Sequence, residues 1–524
     1  MSATLAPPQI RPAPAAGTTS AAATPTATGR RWYTLAVLCL SLLVIVVDTT
    51  IVNVALPTLA KDLHAPASGL QWIVDAYTLA FAAILLLAGA LADKYGRHHA
   101  LRAGLITFAA ASLAAAFTHT TAELIAARAV MGIGAAFIMP STLSVISNVF
   151  TDAHERAKAI GLWSAVSGLG VAIGPVAGGW LLTHFSWSSI FLVNLVPVTI
   201  ALVAGHWLVP PSKAPRARRI DKAGAVLSVA ALTALTYTLI QAPAAGWLSP
   251  ATGVRAALSA VLIAAFVTVQ ARSDHPMMPV GFFASPRFAA ASASVTMLFF
   301  ALSGIVFLTT QVYQFVLGYS PLQAGLRSLP SAAALAVISP LSAQIAKRAG
   351  TRLPVTLGLA TVTAGLAYYA TATASSGYLH YVIAMSILSA GVGLAMAPCT
   401  TAVMQAVPPA QAGVGSAVND TTRNIGSVLG VAVLGSIATS VFAARMTSAG
   451  RGATAHLPGA AGHAATSSLG AIAATAHRIP ATAAAPLLHT ADTAFVAGAS
   501  RAALAAAVAT TFGAVAAYRA LRSR

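Results

Sequence analysis

Trp32-Tyr-Thr-Leu-Ala-Val-Leu-Cys-Leu-Ser-Leu-Leu-Val-Ile-Val-Val-Asp48-Thr-Thr-Ile-Val-Asn53-Val-Ala-Leu-Pro57 decides the architecture, because a single charged residue interrupts a stretch long enough to cross hydrocarbon. A bilayer-spanning helix needs about 20 mainly apolar residues. The run is too long for the apolar region of a cleaved signal peptide, so it is read as an uncleaved first span. Working outward, about fourteen such runs follow one another, near 32–56, 70–92, 100–117, 123–146, 159–182, 188–209, 224–242, 254–271, 288–312, 324–345, 354–373, 380–404, 413–440 and 498–518. The fold class is therefore an all-α polytopic membrane protein.

Composition agrees. Hydrophobic residues make up 57% of the chain, charged ones 8%, and the mean hydropathy is +0.79. A soluble protein carries roughly 25% charged residues and could not cover a water-facing surface with so few. The net charge of +19 does not point to nucleic acid, because Lys and Arg fall mainly in short gaps between apolar runs rather than along a basic, aromatic-studded stripe. Cys39 and Cys399 both lie inside apolar runs, which supports neither a disulfide framework nor a zinc site.

Those same cations give orientation. Arg30, Arg31, Lys94, Arg97, Arg102, Arg156, Lys158, the cluster from Lys213 to Lys222, Arg272, Arg287, Lys347, Arg348, Arg352 and the terminal arginines fall on one side. By the positive-inside rule that side is cytoplasmic, as are both termini, and the protein sits in the cell membrane. The expected organisation is a disordered tail over 1–30, a six-helix bundle over 31–209, a basic loop with two linker helices over 210–272, a second six-helix bundle over 273–518 and a tail over 519–524. The Ala/Gly/His/Thr-rich segment 443–491 is expected to be a long external loop. A worn repeat supports two bundles: Gly132-Ile-Gly-Ala-Ala-Phe-Ile-Met-Pro140 is echoed by Gly391-Val-Gly-Leu-Ala-Met-Ala-Pro398, and Tyr95-Gly96-Arg97 by Ala349-Gly350-Thr351-Arg352. Transporters built as two repeated bundles rock around a site between them.

Only eleven acids exist, so each can be placed. Asp492 and six other aspartates and glutamates are assigned to loops or helix ends, and Glu123 to the outer start of the fourth span. Asp48, Asp75 and Asp420 remain inside apolar runs. A charge at the bilayer centre costs roughly 2.5–3.5 kcal/mol on insertion scales, and such residues face a cavity or a partner. At about 1.5 Å per residue, Asp48 stands about 24 Å above the inner edge, while Asp75 and Arg128 stand about 8 Å below the outer edge, so all three share one level. Asp420 and Arg423, three apart, can pair on one helix face or handle substrate or protons. Asn53, Asn419 and the half-apolar Trp163 are further candidates for a substrate cavity.

Two motifs concern helix contact. Gly89-Ala-Leu-Ala-Asp93-Lys94-Tyr-Gly96-Arg97 joins spans two and three, with glycines suited to close approach and a tight turn and charges suited to a cytoplasmic latch. Gly168-Leu-Gly170-Val-Ala-Ile-Gly174-Pro175-Val-Ala-Gly178-Gly179 in span five presents a small-residue face every four residues, with a bend at Pro175.

The first of these resembles the signature loop of the major facilitator superfamily, with His98 where a Lys or Arg is usual. Leu124-Ile-Ala-Ala-Arg128 through Gly134 is similar to the second motif of that superfamily, whose intramembrane Arg is implicated in proton transfer. The span-five run is similar to its antiporter motif. Asp48 through Pro57, Trp72-Ile-Val-Asp75-Ala-Tyr77, Asn194-Leu-Val-Pro197, Gly318-Tyr-Ser-Pro321 and the stretch from Gly413 to Gly430 resemble the fourteen-span drug:proton antiporters, the QacA/EmrB-like group, although Trp187 lacks the usual following Arg. The alanine-rich style resembles actinomycete antibiotic exporters.

The resemblance implies a major facilitator fold of two six-helix bundles plus two extra helices. It implies a proton-coupled efflux antiporter for a drug-like small molecule or antibiotic, with an uptake symporter of the same fold as the alternative. Asp48, Asp75 and Arg128 would couple protons, and Asp48, Asn53, Asp75, Trp163, Asn419 and Asp420 would meet the substrate. The expected partners are a small molecule, protons and the lipid bilayer, handled by a monomer without metal or cofactor. No phosphate-cradling Gly-x-x-x-x-Gly-Lys-[Ser/Thr] loop is present, so the expected energy source is the proton gradient rather than ATP, and no enzyme activity is expected.

Overall fold

The computed structural model describes residues 25–212, 221–273, 276, 280–405, 407, 412–453, 469, 472 and 481–521. Its helices are α1 (Pro25–Asp62), α2 (Ala67–Tyr95), α3 (Arg97–Ala116), α4 (Thr121–Val149), α5 (Ala153–His184), the short α6 (Ser189–Leu192), α7 (Leu195–Leu208), α8 (Lys222–Ala245), α9 (Pro250–Arg272), α10 (Pro286–Gln311), α11 (Pro321–Ala349), α12 (Arg352–Ala370), α13 (Tyr378–Gln405), α14 (Ala412–Ala453) and α15 (Ala481–Ala520). Thirteen spans among the described residues are long and apolar enough to cross a membrane, with α6 and α7 together forming one of them, and α5 adds the apolar stretch Leu169–His184. Every apolar run read from the sequence thus coincides with helix.

Local chemistry sets the boundaries. α4 starts at a capping box in which Thr120 accepts from the Glu123 amide, and α11 starts at its counterpart, Ser320 with Gln323, followed by Pro321. Between α2 and α3 the chain turns at Gly96, whose φ of 114° lies in the region that side chains disfavour. The Arg97 amide then bonds the Ser212 carbonyl at 2.9 Å, tying this turn to the end of α7.

Packing divides the molecule into two halves with matching contacts. α1 packs on α5 as α10 packs on α14. α2 and α3 pack on α4 as α11 and α12 pack on α13, and α7 meets α1 and α3 as α15 meets α10 and α12. The halves touch through α5 on α11 and its mirror, α14 on α2, while the hairpin α8–α9 leans its α8 on both α2 and α14. The worn repeat is therefore structural, but in a different register from the one the sequence echo suggests. A Cβ on Gly134 would sit 2.7 Å from the Phe108 nitrogen and one on Gly391 2.6 Å from the Val362 nitrogen, so Gly391 does the work of Gly134, not of Gly132. Helix contact fixes register through the face a glycine presents, which an alignment of similar letters does not record.

Several boundaries differ from the sequence reading. The span expected at 188–209 is broken into α6 and α7 at Val193 and Asn194. Of the loop expected over 443–491, residues 443–453 belong to α14 and 481–491 to α15, and all but two of those between lie outside the described residues; Asp492, assigned to a loop, lies in α15. Alanine-rich sequence propagates helix past the apolar core wherever nothing caps it. Of the expected tail over 1–30, residues 25–30 open α1 and the others lie outside the described residues, as do 213–220 in the basic loop and 522–524.

One end of the molecule carries Asp62, Ala67, Thr121, His184 and Pro321, and the other carries Tyr95, Arg97, Val149, Ala153 and Leu208. At the Thr121 end the halves are pressed together. A Cβ on Gly179 would lie 2.5 Å from the Leu322 Cα, a Cβ on Gly325 would run into the Pro175 carbonyl, and one on Gly435 into the Gln71 side chain. The Gln314 amide, in a π turn (Val312–Val316) that extends α10, donates to the Val54 carbonyl of α1 at 2.7 Å.

Candidate functional site

Asp48 of α1 and Arg128 of α4 meet in the core of the first half, Asp48 fully buried and Arg128 1% exposed. Arg128 Nη1 donates to Asp48 Oδ2 at 2.5 Å, and its Nε donates to the Ile73 carbonyl of α2 at 3.1 Å. The guanidinium lies over the Tyr77 ring, 4.3 Å from its centroid. Close seating of α4 on α2 makes this possible, because Gly132, one turn beyond Arg128, lies against the Tyr77 backbone. The second oxygen of Asp48 accepts from Asn194 Nδ2 at 2.9 Å, and that same nitrogen reaches Ser112 Oγ of α3 at 3.2 Å. The Ser112 hydroxyl donates in turn to the Phe191 carbonyl at 2.8 Å.

Asp75 is placed differently. It is fully buried in α2, two residues from the carbonyl that Arg128 holds, yet neither of its oxygens has a hydrogen-bond partner. Asp75 stands four residues beyond Gln71, hence on the same face of α2, and Gln71 packs against Gly435 of the opposite half. Asp75 thus shares the face of α2 that Gln71 turns toward α14, about 12 Å in from the start of α2.

The remaining candidates do not join this group. Asn53, half-buried, donates to the Thr49 carbonyl one turn back at 3.1 Å. Trp163 of α5 donates through Nε1 to Thr142 of α4 at 3.2 Å. On α14 the Asp420–Arg423 pair closes within the helix at 3.4 Å, and Arg423 lies 4.7 Å from the centre of the Phe299 ring. Beside it, Asn419 is buried with its Oδ1 unpartnered. The structure thus brings together Asp48 and Arg128, leaves Asp75 buried without a bond, and leaves Asn53, Trp163, Asn419 and Asp420 as separate polar points. Asn194, Ser112 and Tyr77 carry contacts that sequence reasoning did not assign as site residues. A polar Asn inside the apolar run at 188–209 was the available signal for Asn194.

The glycine motif of α5 performs two tasks. Gly170, Gly174 and Gly178 face Val46, Thr50 and Ile51 of α1, while Gly179 and the carbonyl of Pro175 face α11 across the halves; Gly168 stands two residues before Gly170 in the same helix. α14 repeats the arrangement, with Gly426 and Gly430 against Thr296 and Phe300 of α10 and Gly435 across the halves. At the other end, Arg97 Nη1 donates to the Ser144 carbonyl of α4 at 3.2 Å. The Asp93 side chain lies outside the described residues. Gly89 does not serve a forced helix contact, since a Cβ there would find Pro140 at an ordinary 3.9 Å. Among the described residues no group of three His, Cys, Asp or Glu side chains could hold a metal ion.

Residues 38–431 match the Major Facilitator Superfamily. The chain belongs to that superfamily. The chain is 36% identical to the multidrug efflux pump LfrA of Mycolicibacterium smegmatis over 94% of its own length and 96% of that protein. It is 38% identical to the multidrug resistance protein Stp of Mycobacterium tuberculosis, over 76% of this chain and 74% of that one. In fold, this major facilitator is similar to a bacterial homologue of the human lysosomal transporter Spinster, with a TM-score of 0.66 and 17% identity across 94% and 97% of the two chains. It is accordingly a multi-pass membrane protein.

Proposed function

We propose that this protein is a proton-driven antiporter that exports an amphiphilic drug-like small molecule from the cytoplasm, working as a transporter and not as an enzyme. The names of LfrA and Stp, multidrug efflux and multidrug resistance, support the substrate class and the direction. The excess of Lys and Arg at the Arg97 end makes that end cytoplasmic. The end at which the halves are pressed together is then the external one.

One observation carries the coupling: a carboxyl with two unpartnered oxygens stands on the α2 face that Gln71 turns to α14, at the seam that must part when the external end opens. Taking a carboxylate ion into a dry, unpartnered site costs several kcal/mol, far more than the neutral acid. Parting α2 from α14 wets Asp75 and loads it with an external proton, and the seam can close again over the neutral acid. Release of that proton toward the cytoplasm leaves a buried charge, which reopening of the seam relieves, now with cargo aboard. Asn53, Trp163, Asn419 and Asp420 supply polar contacts for the cargo. A proton entering down 100 mV yields about 2.3 kcal/mol, enough for some tens-fold accumulation. The process needs no bound cofactor.

The test has two steps. A resistance panel of antibiotics and lipophilic cations in a drug-hypersensitive host identifies the cargo. That compound should then load into inside-out vesicles when their interior is acidified, and loading should vanish with an uncoupler and with Asp75→Asn. Loading indifferent to the uncoupler refutes the coupling, and loading only into right-side-out vesicles shows uptake instead.

A further inference from the structure

Proton parity in the buried network of the first half distinguishes its two acids. The chain of bonds has a defined direction. Ser112 commits its only hydrogen to the Phe191 carbonyl at 2.8 Å, so toward Asn194 it can act only as an acceptor. Asn194 must therefore turn its NH2 group, not its carbonyl oxygen, toward Ser112, and that choice aims the second N–H at Asp48 Oδ1. The orientation of this amide follows from the bonds around it and not from the shape of the side chain, which is the same when flipped. The other oxygen, Oδ2, receives Arg128 Nη1. Both oxygens of Asp48 thus face donors, and a proton on either would point at an N–H with no acceptor to receive it. All members of the chain are buried, Asn194 at 2% exposure and Ser112 at 0%, so water does not readily substitute. The charged or titratable groups set against Asp48 are Arg128 on α4, which has no lone pair to accept a proton, and Tyr77 on α2, whose hydroxyl makes no hydrogen bond to it. Asp75 has no such donors.

We propose that Ser112 and Asn194 are positioning residues that lock Asp48 as the permanent anionic partner of Arg128, which leaves Asp75 as the acid that exchanges protons. The break between α6 and α7 at Asn194 serves the same end, since it brings a side chain from the sixth span to the carboxylate of the first. The inference deepens the proton-coupled reading and rests on it for its meaning, but its test needs no cargo.

Purified full-length protein in lipid is titrated while the infrared C=O stretch of protonated carboxyl groups is recorded. The expected wild-type spectrum has a buried-carboxyl band that is lost in Asp75→Asn and retained in Asp48→Asn. Ser112→Ala and Asn194→Ala free or remove the amide, and each should add a second buried band that disappears when combined with Asp48→Asn. Ser112→Thr keeps the hydroxyl and should match wild type. A wild-type band lost in Asp48→Asn overturns the proposal, as does the absence of a second band in both Ser112→Ala and Asn194→Ala. If either of these two variants fails to fold, the comparison of Asp48→Asn with Asp75→Asn still decides. Should transport prove independent of protons while these spectra behave as stated, the coupling reading fails and the lock stands.

Discussion

The contact of Gly179 and Gly325 across the two halves allows the balance between conformations to be shifted by one methyl group. A Cβ on Gly179 would lie 2.5 Å from the Leu322 Cα and 2.6 Å from the Pro321 carbonyl oxygen. Both are backbone atoms, which cannot swing aside as a side-chain tip can. Overpacking of this kind costs about 1–3 kcal/mol. The cost falls on the state with the Thr121 end closed and is relieved when α5 and α11 separate. Gly179→Ala should therefore shift the ratio of open to closed at that end by roughly 5- to 150-fold. Gly325→Ala, whose Cβ would enter the Pro175 carbonyl, should act in the same direction.

Gly132→Ala supplies the control. Its Cβ would collide with the Tyr77 backbone inside one half, so it should lower thermal stability without altering the balance. Spin labels at Phe117 and Leu379, each 68% exposed at the Thr121 end of a different half, report the separation by pulsed electron resonance. The expected result is a longer-distance population in Gly179→Ala and Gly325→Ala and an unaltered distribution in Gly132→Ala. Unchanged distributions in both seam variants, with protein that is folded and in the membrane, would falsify the assignment of these glycines to a closing seam.

Asp48→Asn leaves a buried guanidinium without its counter-ion and should cost about 3–5 kcal/mol, seen as a lowered unfolding temperature in detergent, while Asp48→Leu with Arg128→Met should recover most of that stability. Gly96→Ala forces a side chain into a backbone conformation with φ of 114° and should cost about 1–3 kcal/mol, read as reduced protein level and unfolding temperature. Trp247→Phe removes the bond from its Nε1 to Ser440, 3.0 Å long, and should loosen the α8–α9 hairpin from α14 at a cost of about 1 kcal/mol, measured as faster hydrogen exchange at the end of α8.

Much of this fold was legible because lipid makes composition decisive. A run such as Trp32–Pro57 has one stable solution in hydrocarbon, a helix that satisfies its own backbone. The level shared by Asp48 and Arg128 could likewise be counted from rise per residue, and the two do meet. Rise per residue does not give the angle around the helix axis. Asp75 stands at the same depth as Arg128, and only the structure shows that it makes no bond to the guanidinium. Asn194, quoted in a motif but given no role, went unassigned for a related reason: its contacts depend on a helix break at Val193 and on a Ser three spans earlier, a coincidence that no local pattern encodes. Gly89 erred in the opposite sense, since a glycine next to helix contacts was credited with one that Pro140 at 3.9 Å does not require.

The two halves share a scaffold but not a chemistry, and that asymmetry bears on how a proton can be coupled to rocking. α5 and α14 carry the same glycine arrangement, and each uses its last member to meet the opposite half. Acids, by contrast, stand on α1 and α2, whereas their counterparts α10 and α11 have none. On α11 the ionisable side chain near the Thr121 end is Arg327, stacked 3.7 Å from the centre of the Tyr319 ring. Symmetric glycine faces let both seams open and close together, as rigid rocking requires. On the proposed coupling, a titrating acid on only one seam would make the closing of that seam depend on a proton while its mirror closes freely. With the halves moving as rigid bodies, one protonation event at Asp75 would then gate the whole motion, and a second acid on α11 would add a proton to the stoichiometry without adding control.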